Sequence, residues 1–291
     1  VVGDVCVDVI ARAAQPHNLG SDTDAEIRIA GGGSGGNLAA WLARLGVPVT
    51  LVARVGGDNA GRAQAAELSS YGVRCAFTVD PDAATGTVVV LVGPDGERTM
   101  LCDRGANLRL STADLPAELP SGGHLHLSGY PLLHPGPRAA GLAALRRAAA
   151  AGLTTSVDPA SVAPLRATGV EAFLAWTRGV DLLLPNLPEA QLLSGHRDPV
   201  RAARALARRC AAVAVTLGAD GALWASGGDA VHVPAVHLPA EPAGLLDSTG
   251  AGDAFAAGLL AAWLRGADGP SAVRSGVAVA ATAVSRLGAR P

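Results

Sequence analysis

From residue 111 onward, strand-like and helix-like segments alternate with short connections, and no other feature of the 291-residue chain narrows its fold so far. Short apolar runs at 124–128, 153–157, 180–184 and 212–217 read as strands. Helical patterns fill 136–151, 162–177, 186–194 and 199–209. Such alternation implies a parallel sheet with helices on both faces. Strands near 221–226 and 229–234 suit an antiparallel edge, and a helix over 270–286 closes the region. No repeat or low-complexity linker divides 111–291, which is expected to form one domain. With 49% apolar residues the chain can bury a large core.

The first hundred residues are less regular. Val1 to Ile10 is Val-rich and suits a strand at a sheet centre, interrupted by Asp4 and Asp8. Asp8 falls at the carboxyl end of that strand, where α/β sheets bind ligands; it reads as a substrate contact or as a turn residue. Residues 11–30 are polar, and Glu26-Ile27-Arg28-Ile29 alternates as a strand with one wet face does. Val49–Arg54 suits a second core strand and 59–70 a second helix. Residues 85–103 read as a hairpin around Pro94-Asp95-Gly96, which we group with 11–30 in a small separate sheet. Gly105-Ala106-Asn107 returns the chain to the main body.

Gly31 to Asn37, GGGSGGN, leads into a helix, LAAWLARLG. Gly31, Gly33 and Gly36 satisfy G-x-G-x-x-G, but a dinucleotide fingerprint needs a buried strand before it, and DTDAEIRIA is too polar. A Gly-rich corner meeting a polar ligand fits better, with Asn37 as a ligand contact or as a helix N-cap.

Leu246 to Leu260, LDSTGAGDAFAAGLL, reads as a loop that becomes a buried helix. Gly250, Ala251 and Gly252 let a ligand approach the backbone, and a helix start can hold an anion. A carboxylate there, Asp253, is a first-turn acid or a base serving phosphoryl transfer. Asn186-Leu187-Pro188-Glu189 follows an apolar strand and suits either a capping box or the ordering of phosphates and water around Mg²⁺. Thr216 and Gly218 stand at another strand end. Asp158-Pro159 is a further strand-end acid. His124-x-His126 shares a strand face without an evident third metal ligand.

Charge excludes more than it suggests. The net charge of −2 gives no pull toward nucleic acid or anionic membrane. All 23 basic residues are arginines, which removes the P-loop lysine and Schiff-base chemistry. The four cysteines are scattered and form no C-x-x-C, so free thiols in a cytoplasmic setting are expected. No signal peptide precedes the first strand, and no segment reads as membrane-spanning.

Taken in order, Gly32-Gly33, Asn37, Leu45-Gly46, Asn186-x-x-Glu189 and Asp247-Ser248-Thr249-Gly250-Ala251-Gly252-Asp253 resemble the signatures of the ribokinase-like, or PfkB, carbohydrate kinases. The resemblance implies a three-layer α/β/α sandwich with a mostly parallel central sheet and a small β-sheet lid. It divides the chain into a core of 1–10, 31–84 and 105–291 and a lid of 11–30 and 85–104. It implies ATP and Mg²⁺, with a small sugar or sugar derivative as acceptor through a primary hydroxyl. Asp253 would be the general base. Gly250, Ala251 and Gly252 would form the anion hole. Asp8, Gly32, Gly33 and Asn37 would meet the acceptor. Asn186, Glu189, Thr216 and Gly218 would face the nucleotide, with Glu189 on Mg²⁺ through water. Asp247 and Thr249 match positions that bind a monovalent cation such as K⁺ in many members. A homodimer through the lid is the partner arrangement suggested. A nucleoside kinase on the same fold and a non-catalytic sugar-binding regulator are the alternatives. Two departures stand out: Ser248 replaces the usual Thr, and Ser34 replaces a lysine found in ribokinases proper.

Overall fold

The computed structural model describes residues 1–16, 18–94, 98–118, 122–236, 249–285 and 288–291. The chain first forms β1 (Cys6–Ala13), β2 (Ala25–Gly32) and α1 (Ser34–Arg44). β3 (Thr50–Gly56), α2 (Asn59–Ser70) and β4 (Arg74–Asp80) follow, then β5 (Gly86–Val92) and β6 (Arg98–Asp103). The alternating half supplies β7 (His124–Ser128), α3 (Tyr130–Leu133), α4 (Pro135–Ala150), β8 (Thr154–Asp158), α5 (Val162–Thr168) and α6 (Val170–Trp176). It continues through β9 (Leu182–Leu183), α7 (Leu187–Ser194), α8 (Pro199–Leu206), β10 (Ala212–Thr216), β11 (Ala222–Ser226) and β12 (Asp229–Val233). α9 (Ala251–Trp263) and α10 (Gly269–Val284) complete the fold.

The central sheet runs β12-β11-β10-β9-β8-β7 and joins the pair β3-β4 through Val2. Val2 bridges Leu127 on one side and Val52 on the other, both in parallel sense. Its N–H donates to the His126 carbonyl at 2.9 Å, and its carbonyl accepts from Ser128 N–H at 3.0 Å. β7 to β10 are parallel, and β11 and β12 form the expected antiparallel edge.

Period-two alternation along these strands separates two cores. Leu183, Val213, Val215, Leu223 and Ala225 pack with the layer that contains α4 to α8. Leu182, Ala212, Ala214, Ala222 and Trp224 pack with α1, α9 and α10. The three-layer α/β/α sandwich is therefore present. β2-β1-β5-β6 forms a separate four-stranded sheet beside it.

Three local readings are corrected, and one strand is added. Val1–Ile10 is not one core strand: residues 1–3 lie in the central sheet, whereas Cys6–Ile10 belong to β1 of the small sheet. The buried Asp4 carboxylate draws the chain inward between them, and the Asn107 amide satisfies both polar groups of Val5 (3.0 and 2.9 Å) where no strand does. α1 begins at Ser34, four residues before the apolar run, because Gly33 (φ 86°) opens it. The pattern at 162–177 is two helices, broken by Gly169 at φ 98°. β4, a segment unassigned from the sequence, pairs in parallel with β3 at the sheet edge. Asp95 and Gly96 of the hairpin turn lie outside the described residues.

α9 and α10 cross closely because of two glycines. A methyl on Gly276 would lie 2.8 Å from the Phe255 carbonyl and 2.9 Å from its ring, and one on Gly258 would meet Ser275 and Val279. Gly276→Val is therefore expected to cost about 1–3 kcal/mol of stability. Thermal unfolding followed by circular dichroism should show a midpoint lower by several degrees; an unchanged midpoint would mean the two helices have room to spare.

Candidate active site

A cleft of about 640 Å³ opens between the small sheet and the carboxyl ends of the central strands. Asp8, Gly33, Asn37, Asn186, Glu189, Thr216, Thr249, Gly250, Gly252 and Asp253 all line it. Gly32, Ala251 and Gly218 do not. Gly32 lies directly beneath the Asp8 carboxylate, Ala251 opens α9, and Gly218 turns away past the end of β10. Asp247 and Ser248 lie outside the described residues.

Two helix starts meet at the cleft. Gly250 adopts a left-handed conformation (φ 74°) and precedes α9 with no side-chain cap. The N–H groups at 251–253 thus have neither a helical acceptor nor a capping side chain. A methyl on Gly252 would touch nothing within 4 Å, so the space beside this turn is open. Asp253 sits third in the helix and does not cap it. Instead its Oδ1 accepts from Ser34 Oγ at 2.8 Å and its Oδ2 from Asn37 Nδ2 at 2.9 Å. Asn37 is not an N-cap either: Gly33 is, and the Asn37 N–H donates to the Gly33 carbonyl at 2.9 Å. A first-turn side chain of α1 therefore reaches across to a first-turn side chain of α9.

Asn186 and Glu189 form a complete capping box at α7. Asn186 Oδ1 accepts from Glu189 N–H at 2.9 Å, and the Glu189 carboxylate accepts from Asn186 N–H (3.0 Å) and Nδ2 (2.9 Å). Both residues still border the cleft, so the capping and ligand-facing readings coexist. Thr216 is drawn alongside by a parallel bridge to Asn186. Asp158, at the end of β8, accepts from Ala160 N–H at 2.7 Å, and Ala160 takes a left-handed conformation (φ 74°) to donate it. That conformation costs a non-glycine residue about 1–2 kcal/mol, so the loop is strained where it borders the cleft.

Three carboxylates share this space, and burial raises all of them. Asp253 is pushed up to about 7, by burial first and then by Asp158 and Asp4, against the Asn37 and Ser34 bonds that hold it down. Asp158 and Glu189 repel each other and are both raised, again chiefly by burial. Such a cluster favours a cation. Among the described residues, no three His, Cys, Asp or Glu side chains converge as a metal cage. The donor set therefore suits a hard ion that keeps its waters and binds with phosphates. His124 and His126 make no metal site: they bond the hydroxyls of Thr154 and Ser156, and burial keeps both neutral.

Four participants escaped the sequence reading. Asp4 accepts from Ser128 Oγ (3.2 Å) and Gly35 N–H (3.3 Å) and pairs with Arg104 at 3.3 Å. The Arg104 guanidinium stacks 3.8 Å over the Tyr130 ring, and all three border the cleft. Asp4 was visible as a charge inside an apolar run; Arg104 and Tyr130 carried no signal. Ser34, noticed only as a departure from the ribokinase pattern, holds the Asp253 carboxylate.

The raised value at Asp253 has a stability consequence. The folded state holds that proton more tightly than the unfolded chain, whose carboxylate titrates near 3.8. The group's stabilising contribution is therefore present below about pH 4 and lost as pH rises through about 7. Asp253→Asn stays neutral throughout. Its advantage over the parent should grow from nothing near pH 4 to roughly 2–4 kcal/mol at pH 8. Urea midpoints measured across that range test this; a variant less stable than the parent at pH 8 would contradict the assigned burial.

Comparison with known proteins identifies the family. The chain is 33% identical over 269 residues to mouse (Mus musculus) ribokinase, an alignment spanning 89% of this chain and 79% of that protein. It is 34% identical to an ATP-dependent ribose-1-phosphate kinase of Halopiger xanaduensis, over 93% of this chain and 86% of the other. The structure superimposes on adenosine kinase from Sinorhizobium meliloti with a TM-score of 0.88 and 28% identity, covering 100% of this chain and 94% of that one. The pfkB family carbohydrate kinase model matches residues 1–291, and the chain belongs to that family of phosphotransferases.

Proposed function

We propose that the protein transfers the γ-phosphoryl group of ATP to a primary hydroxyl of a small sugar or sugar derivative, with Asp253 as general base. One observation carries this reading: the Asp253 carboxylate is tied down at an uncapped helix start, beside free backbone N–H groups, in a cleft. A carboxylate raised to about 7 is half ionised near neutral pH, where a general base is effective.

The acceptor enters between the small sheet and the central strands, where Asp8, Gly33 and Asn37 offer polar contacts. Asp253 removes the hydroxyl proton as the oxygen attacks. The N–H groups at 251–253 stabilise the charge developing on the transferred group. Asn186, Glu189 and Asp158 would face the phosphates and Mg²⁺, and the metal when bound would neutralise the phosphate oxygens. Thr216 would lie beside the nucleotide, and the small sheet would act as a lid that excludes water. Thr249 and Asp247 would hold a monovalent cation where K⁺ supports turnover. The four free thiols fit a cytoplasmic setting.

An ATP-to-ADP coupled assay over sugars, sugar acids and nucleosides, with Mg²⁺ and with or without K⁺, tests the reading. One acceptor class should give turnover, and Asp253→Asn should lower it by ~10²–10⁴-fold or more. Full turnover by that variant would remove Asp253 from the base role. Preference for adenosine-like acceptors would favour the nucleoside kinase instead.

The partner is a second copy of this chain. Register places Ile27 and Ile29 of β2 on one face of the small sheet with Val9, Val89 and Leu101, opposite the face that lines the cleft. Ile27, Ile29 and Leu101 are 65%, 75% and 56% exposed, an apolar surface beside two strand edges. Ile29→Asp is expected to convert a dimer to a monomer in light scattering behind a sizing column; a monomeric parent protein would end this proposal.

A further inference from the structure

Arg290 lies beneath the Gly-rich corner, 7% exposed, and none of the chemistry above uses it. Its Nη2 donates to the Gly32 carbonyl at 2.9 Å and its Nε to Asn37 Oδ1 at 3.4 Å, while Nη1 pairs with Glu67 of α2 at 3.0 Å. Two glycines of the GGGSGGN run make way for it. A Cβ on Gly31 would overlap Nη1 and Cζ, and one on Gly36 would stand 2.8 Å from Nη2. The run is thus in part a slot for a guanidinium. Segment 288–291 is itself fastened on both sides: the Ala289 carbonyl accepts from Trp41 Nε1 at 3.0 Å, and the Pro291 carbonyl from Tyr71 Oη at 2.9 Å. Ala289 also fills the space beside Gly250, where any side chain would overlap it. The charged and titratable groups facing Arg290 are Glu67 of α2, Tyr71 just past its end, Cys75 of β4 and Asp8 of β1.

The chemistry of this contact is directional. A guanidinium can only donate, so Asn37 must turn Oδ1 toward it. That leaves Nδ2, the donor end, for Asp253 Oδ2. With the amide reversed, an acceptor would meet a carboxylate and a donor would meet a cation. We propose that Arg290 is a positioning residue for phosphoryl transfer: it fixes the sense of the Asn37 amide, and through it the Asp253 carboxylate. The inference rests on Asp253 being the general base. Asp253 is otherwise faced by Ser34 of α1 and by the acids Asp158 and Asp4, so losing the Asn37 donor leaves burial and repulsion less opposed.

The test uses Arg290→Met, an apolar chain of similar length, and Gly36→Ala, whose methyl crowds Nη2 and moves the guanidinium without deleting it. Both are compared with the parent by carbon-13 NMR titration of the labelled Asp253 carboxyl and by the pH profile of kcat/KM. The Asp253 titration and the acidic limb should both move to higher pH, by about half a unit or more. kcat should fall roughly 10- to 100-fold with the KM for ATP changed less than about threefold, as expected for a misplaced general base. Combining Arg290→Met with Asn37→Ala should add little to either single change. A lower melting temperature with an unmoved titration and an unmoved limb would make Arg290 a structural residue only, and independent effects in the double variant would do the same. If Arg290→Met does not fold, Gly36→Ala alone decides by the same two readouts. Asp253→Asn separates the layers: if it keeps turnover, the base assignment fails, whereas if it is inactive and the Arg290 readouts stay unmoved, only this inference fails.

Discussion

The link between Asn37 and Asp253 is the interaction on which the rest of the site depends. It joins residues 216 positions apart and fixes one helix start against another. Everything nearby makes that bond costly to form. The carboxylate is only partly exposed, and two further acids stand close enough to raise it. A buried carboxylate persists when donors hold it, and Ser34 and Asn37 supply two. The result is a carboxylate raised to about 7, which suits the general-base role proposed for it. Instability and reactivity here have one physical source.

Close backbone approach is what makes the arrangement possible, and glycine supplies it at chosen points. Gly258 and Gly276 let α9 and α10 touch. Gly250 gives α9 its left-handed entry and leaves room for Ala289. Gly31 and Gly36 admit Arg290. A G-x-G-x-x-G pattern thus arises here for packing reasons unrelated to a dinucleotide. The polar, exposed strand before it was the correct sign: β2 is an edge strand of the small sheet, with five of its eight residues exposed.

Periodic and repeated features were legible in the sequence, and single long-range contacts were not. The strands and helices of 124–234 fall close to where apolar runs and turn residues put them. β1 was misplaced because a buried small-sheet strand and a buried core strand have the same composition; only the partners of Asp4 and Val5 distinguish them. Asn37 and Asp253 were singled out one at a time, each with a capping alternative. Their hydrogen bond could not be read, because nothing in either segment encodes the other. Arg290 is one arginine among 23 basic residues, and no local pattern separates it from those that face water. Resemblance to a family helped where short motifs recur, and it was silent about Arg104, Tyr130 and Arg290.

The charge balance of the cleft shows how this chain works without lysine. Asp4, Asp8, Asp158, Glu189 and Asp253 all border it, while Arg104 is the one basic side chain among the described lining residues. Arg104 is already engaged by Asp4 and stacked on Tyr130. Under the proposed function, positive character toward an incoming phosphate would come from the N–H groups at 251–253 and from a metal ion bound with the nucleotide. Backbone dipoles cannot titrate, and they need no side-chain reorganisation when charge develops. Under the proposed function, a metal ion bound with the nucleotide would give these acids a shared counter-ion and offset their mutual repulsion.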